Sequence, residues 1–145
     1  MAIDDPDLMP TPALEDAFVL DIEPGPELAI GRLATGGVRS VRAVQRGSFA
    51  GSGIKGALVS GTETMLARRD GVTVIEASYI LLMADGSPVR ILGTGYVAEG
   101  EGFDGTRMTL TFEVHEGSPC AWLANRAFIA ERPAGATALR IAQIV

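Results

Sequence analysis

Hydrophobic and polar residues alternate with a period of two along much of the chain, as expected of strands whose successive side chains point to opposite faces. The longest such stretch, Arg69 to Val97, reads as two arms joined at Asp85-Gly86. Aspartate and glycine tolerate the positive φ angles of a tight hairpin turn, and the β-branched and aromatic residues on both sides favour extended chain. On the first arm Val72, Val74, Glu76, Ser78, Ile80 and Leu82 share one side, and Thr73, Ile75, Ala77, Tyr79, Leu81 and Met83 the other. Both sides are largely apolar, which predicts that both are covered, one by the domain interior and the other by a second subunit or layer. Glu76 then stands as a carboxylate on a mostly apolar face.

The same pattern predicts a strand over Ala17 to Glu23, a turn at Pro24-Gly25-Pro26, and strands over Leu28 to Leu33 and Val38 to Gly47. Glu63 to Arg68 reads as a possible helical turn. Thr106 to Val114 alternates cleanly, with Met108, Leu110, Phe112 and Val114 on one face. Cys120 to Glu131 and Thr137 to Val145 supply the last two strands, separated by a break at Pro133 to Gly135. Eight or nine consecutive strands with short connections predict an all-β fold, an antiparallel barrel of eight to nine strands, with a two-sheet sandwich as the main alternative. Residues 1–14 read as a loose acidic, proline-punctuated arm and residues 15–145 as a single barrel domain.

Composition narrows the functional classes. A chain of 145 residues fits one domain with a real core. Twelve basic against 18 acidic residues leave a formal charge of −6, with no clustered basic footprint for nucleic acid or an anionic membrane. The single cysteine, Cys120, excludes an internal disulfide, and with no signal peptide recognisable the expected compartment is the cytoplasm. The two-sided apolar strand predicts a homo-oligomer.

Gly51, Gly53 and Gly56 spell out G-x-G-x-x-G, but a dinucleotide site needs a helix opening on the last glycine and a parallel sheet. Ala57 to Gly61 instead continues as a strand, so these glycines are read as bends or bulges at a barrel corner.

Gly31, Gly37 and Arg39, then Gly47-Ser48-Phe49-Ala50-Gly51, Gly56 and Gly61, resemble the pattern of the bacterial and fungal family catalogued as domain of unknown function 3237. Arg69-Asp70-Gly71, Glu76, Tyr79, Asp85-Gly86, Gly95, Phe112-Glu113 and Trp122-Leu123 continue the resemblance in order. It implies a self-associating β-barrel whose interior holds a small molecule, similar to the barrels of allene oxide cyclases and dirigent proteins. Some relatives act as cofactor-free cyclases on phenolic or polyketide-like compounds. Where the family usually shows Gly-Gly-Ala-Asp-Trp, this chain has Ser60-Gly61-Thr62-Glu63-Thr64.

No nucleophile motif stands out: there is no G-x-S-x-G elbow, and Cys120 reads as a small buried residue. His115 is the only imidazole, and Glu113 and Glu116 beside it form no recognised metal spacing, so neither metal nor cofactor is expected. What remains is acid–base chemistry. Glu63 and Glu76 are the candidate general acids or bases, a role that burial supports by raising a carboxyl pKa towards neutrality. Arg39 and Tyr79 are the candidate stabilisers of developing oxygen charge. Tyr96, Phe112 and Trp122 are candidate pocket walls, with Glu113 and His115 as further substrate contacts. Glu76 and Tyr79 have opposite parity, so on a regular strand only one can face a cavity; Glu76 is favoured, since a carboxylate on an apolar face is costly unless used or paired, the alternative here being a pair with Arg90 across the hairpin. The leading expectation is a cofactor-independent isomerase, cyclase or lyase acting on an apolar oxygenated small molecule. The alternatives are a small-molecule carrier or sensor and a structural barrel with a filled interior. A cavity carrying two or more ionisable groups favours the enzyme, an apolar cavity the carrier, and no cavity the third.

Overall fold

The computed structural model describes residues 10–100 and 102–145. The strands are Leu14–Arg32 (β1), Val38–Gly51 (β2), Ile54–Ala67 (β3), Thr73–Met83 (β4), Pro88–Ala98 (β5), Gly105–Val114 (β6), Phe128–Pro133 (β7) and Ala138–Ile144 (β8). They close in sequence order into an antiparallel barrel, β1 pairing with both β2 and β8. Closure leaves no edge along the body of the sheet, which decides between the barrel and the sandwich. The expected loose arm falls largely on residues 1–9, outside the described residues.

Three local expectations are corrected. Pro24-Gly25-Pro26 does not turn the chain; β1 runs through it, with register shifts at Glu23/Pro24 and Pro24/Glu27. These prolines fit because β8 pairs with β1 only as far as Asp21, so the missing N–H groups fall on a free edge. Glu63 to Ala67 is strand rather than helical turn, paired on both sides with β2 and β4. Cys120 to Glu131 is not one strand: Ala121–Asn125 forms a short 3-10 helix before β7. The Gly51 to Gly56 stretch makes the β2–β3 turn, with positive φ at Ser52 and Gly53, and no helix follows it.

The interior is filled from one face of each strand. Phe18, Leu20 and Ile22 of β1 face in, as do Ile75, Ala77, Tyr79, Leu81 and Met83 of β4. At the end where β1 begins and β6 finishes, Phe18 stacks on Phe49 at 4.7 Å and Phe112 meets Phe128 edge to face at 4.9 Å. Trp122, half-buried on the 3-10 helix, lies against Phe18 at 6.3 Å and closes this end. The strands pack closely enough that Gly95 admits no side chain: a Cβ there would lie 1.8 Å from the Arg107 carbonyl oxygen. Gly95→Ala must push β5 and β6 apart, and should cost about 3 kcal/mol, read as a lower denaturant midpoint.

Candidate functional site

The site is built around one buried carboxylate. Glu63 of β3 is fully buried, and its side chain points inward because the β3 register shifts between Leu58 and Ser60. Arg42 of β2 sits directly across from Glu63, and Gly61, two residues before it, faces Tyr79 of β4. A Cβ on Gly61 would approach the Tyr79 ring to 3.0 Å, so the glycine makes room for the ring. The fourth member, Arg132, comes from the end of β7.

Four donors converge on Glu63. Arg132 forms a bidentate pair, Nη1 donating to Oε2 at 2.9 Å and Nη2 to Oε1 at 3.2 Å. The Tyr79 hydroxyl donates to Oε2 at 2.5 Å, and Arg42 Nη2 donates to Oε1. Charge-assisted and fork-shaped contacts of this kind are the strong ones, and inside a barrel they are little screened. Burial by itself would raise the Glu63 pKa; the Arg132 bond and charge, with Tyr79 and Arg42, outweigh it and hold the carboxyl below its ordinary value. Burial and the Glu63 charge push the Tyr79 hydroxyl upward, so it stays protonated. Arg132 is held charged, the Glu63 contacts overcoming its own desolvation.

This reverses the protonation expected of Glu63: its carboxyl is held below its ordinary pKa as the anion between two guanidinium groups. Folding lowers its pKa, so below about pH 4.5 the unfolded chain binds a proton that the native chain resists. The stability Glu63 contributes is therefore complete above that value and lost as pH falls through the folded pKa. Acid titration of unfolding should show a steep loss in the wild type, and Glu63→Gln should flatten that part of the slope.

Above the cluster, at the end where β5 passes to β6 and β7 to β8, lies a cavity of about 660 Å³. Arg42 and Arg132 line it, together with Ile22, Val97 and Thr106, while Glu99 and Asp104 stand at its exposed rim. Two guanidinium groups against the one Glu63 carboxylate leave a positive charge in surplus at the floor. A larger depression of about 760 Å³ lies on the barrel exterior beside Tyr96, Thr109, Ile129 and Ala142. Its charged residues pair with one another at exposed positions, Arg107 with Glu131 at 3.2 Å and Arg140 with Asp16 at 3.8 Å, so it has no buried group poised for chemistry.

Of the residues singled out from the sequence, the structure brings Glu63 and Tyr79 together and leaves the others elsewhere. Glu76 is exposed on the outer face of β4, opposite in parity to Tyr79, so the preference for Glu76 as the inward residue is corrected. It does not pair with Arg90, which instead binds Glu113 at 3.1 Å and Ser78 at 3.2 Å. Arg39 lies on the opposite parity of β2 from Arg42, across from Leu66, with no ion pair among the described residues. Tyr96 is 56% exposed on the outer face, where it lines the exterior depression and not the cavity above Glu63. Glu113 and His115 are exposed, and Phe112 and Trp122 belong to the aromatic end opposite the cavity. Cys120 is buried, and desolvation followed by the nearby Asp85 charge raises its pKa, consistent with an inert thiol. Arg42, Arg132, Glu99 and Asp104 were not among the residues singled out from the sequence. Arg132 did carry a signal, sharing the parity of the apolar Phe128 and Ala130.

Residues 12–141 match the family described as protein of unknown function, DUF3237. The chain belongs to the DUF3237 family. The barrel is similar to a protein of unknown function from Clostridium acetobutylicum, with 21% identity, 93% of this chain and 100% of that chain covered, and a TM-score of 0.82. It is also similar to a β-barrel-like protein from Acinetobacter baumannii, with 20% identity, 96% and 99% covered, and a TM-score of 0.82. An enzyme from Penicillium herquei matches at 20% identity, with 95% and 98% covered and a TM-score of 0.79. At these identities the likeness shows the fold of the DUF3237 barrel. No curated protein matches the chain.

Proposed function

We propose that this DUF3237 barrel is a cofactor-independent isomerase, cyclase or lyase that relocates a proton on an apolar, oxygenated small molecule of phenolic, polyketide-like or enone type. The observation that supports this is the pair of guanidinium groups at the floor of the 660 Å³ cavity, with carboxylates at its rim. The volume suits a small ligand. A rim carboxylate, Glu99 or Asp104, accepts a proton from a phenolic O–H or from a carbon beside a carbonyl, and the electron pair moves onto oxygen. The guanidinium N–H groups stabilise that enolate or phenolate, the interaction that grows most in the transition state. The proton then returns to a different carbon, or to the carbon beside the carbonyl after the phenolate oxygen has bonded to the conjugated alkene. The product of either course is an isomer of the substrate, and the lyase course is the addition in reverse, the carbanion beside the carbonyl expelling the β-oxygen as phenolate, so atoms and electrons balance. Tyr79 keeps its proton and holds Glu63 in place. The Penicillium herquei relative being an enzyme is in keeping with this reading. So is a cytoplasmic setting, given the single buried free cysteine. No helix among the described residues is long and apolar enough to cross a membrane.

A carrier is the second reading, and a specific observation favours it: Glu63 accepts four donors and is not a free base. Proton NMR of hydroxybenzylideneacetone in deuterated buffer separates the two. The enzyme reading expects the methyl ketone signal to fade faster with protein than in buffer. Ligand line broadening without exchange would support the carrier, and neither effect would remove both readings for this compound class.

A further inference from the structure

We propose that Arg42 is the ligand-holding arginine of the cavity and that it takes an organic monoanion, a carboxylate or an ionised phenol on an apolar body, while Arg132 stays locked to Glu63. This rests on the barrel-mouth reading above and adds the charge class of the ligand and the residue that recognises it.

The two arginines are not equivalent. Arg132 engages Glu63 through both terminal nitrogens, and its side chain is 8% exposed. Arg42 reaches Glu63 through Nη2 alone, its side chain is 24% exposed, and it lines the cavity. Arg42 Nε is buried and has no hydrogen-bond partner, the only such side-chain atom among the described residues. A buried N–H left unpaired costs about 1–3 kcal/mol, so this pose of Arg42 is the under-satisfied one. If Arg42 turns its Nε–Nη edge to the cavity, Glu63 still holds the Arg132 fork and the Tyr79 hydroxyl, and no buried charge is stranded. That edge matches the two oxygens of a carboxylate and is the usual bidentate fit.

The other charged groups near Arg42 fix how the ligand lies. Glu27, directly across β1 from Arg42, and the rim residues Glu99 and Asp104 are all exposed. Asp104 Oδ1 is already occupied by the Gly100 N–H at 2.6 Å. These carboxylates repel an anion at the mouth, so the anionic end must lie at the floor beside the surplus guanidinium charge. The apolar body then runs past Ile22 and Val97.

Calorimetry of the full chain with naphthoate and with neutral naphthamide tests this. Naphthoate should bind about tenfold more tightly or better, the gap between a charge-assisted and a neutral hydrogen bond. Arg42→Gln should bring the two affinities within about twofold, and Arg42→Lys should keep part of the preference, since a point charge remains without the fork. The side-chain Nε–H signal of Arg42, identified by its loss in Arg42→Lys, should move on adding naphthoate while the Arg132 signal stays. Equal affinity for the two probes, no binding of either at millimolar concentration, or a preference intact in Arg42→Gln would overturn the inference. Failure here is separable from failure of the enzyme reading. Catalysed exchange of hydroxybenzylideneacetone without anion preference rejects the Arg42 assignment alone, whereas anion preference without exchange rejects catalysis alone.

Discussion

Replacing Arg132 with methionine should lower the melting temperature by about 10 °C, the equivalent of about 3 kcal/mol in a chain of this size. The loss arises because Glu63 is fully buried and Arg132 supplies two of its four hydrogen bonds. Methionine fills much the same volume but strands a carboxylate whose remaining cationic partner, Arg42, reaches only one oxygen. Paired buried charges offset their desolvation only when the geometry is complete, so the penalty comes from breaking the pair rather than from lacking one. Stability should recover when the whole cluster is replaced. A quadruple variant, Arg42→Met, Glu63→Leu, Tyr79→Phe and Arg132→Met, which leaves no member of the cluster unpaired, should regain most of the wild-type stability and lose any anion binding. Thermal unfolding followed by circular dichroism reads both. A single Arg132→Met variant as stable as wild type would mean that the cluster does not hold this end of the barrel together.

The second large effect falls on the rim. Neutralising the carboxylate that accepts the substrate proton, by Glu99→Gln or Asp104→Asn, should slow exchange of hydroxybenzylideneacetone by about 10²–10⁴-fold, the usual contribution of a positioned general base. Both residues are exposed, so their removal leaves the fold intact and the loss reads chemistry directly. Glu76→Gln, on the outer face of β4, serves as the comparison and should leave the rate unchanged. If both rim variants exchange within about twofold of wild type, proton transfer does not run through the rim, because a working general base contributes far more than that.

Much of the barrel was legible in the chain, because alternation and turn chemistry are local. The Asp85-Gly86 hairpin, the inward row of Thr106–Val114 and the rejection of a dinucleotide loop all follow from neighbouring residues. Pro24-Gly25-Pro26 misled because prolines that usually turn a chain can also lie on a free strand edge, and where β8 stops pairing is a property of the closed sheet. The site was legible only in part for the same reason. Glu63 and Tyr79 were recognised as residue types that matter, yet their contact depends on the Gly61–Tyr79 register and on the irregularity after Leu58 that turns Glu63 inward. Glu76 attracted notice as a carboxylate among apolar neighbours. Both parities of β4 are apolar, however, and alternation alone cannot tell the inward face from an outward one on which Ile80 and Leu82 are 41% and 49% exposed. Arg132 lies 69 positions from Glu63, beyond the reach of any strand-local pattern. Burial was expected to raise the Glu63 pKa; the two guanidinium groups, brought in from other strands, reversed the sign.

The central claim is that small molecules act at the barrel mouth above Glu63 and not on the exterior. Amide and methyl shift mapping with hydroxybenzylideneacetone tests it most directly. Perturbed signals should cluster on Val97, Ala98, Gly105, Thr106 and Ala134 to Thr137, which line the mouth. Perturbations confined to Tyr96, Thr109, Ile129 and Ala142, around the outer depression, would contradict it.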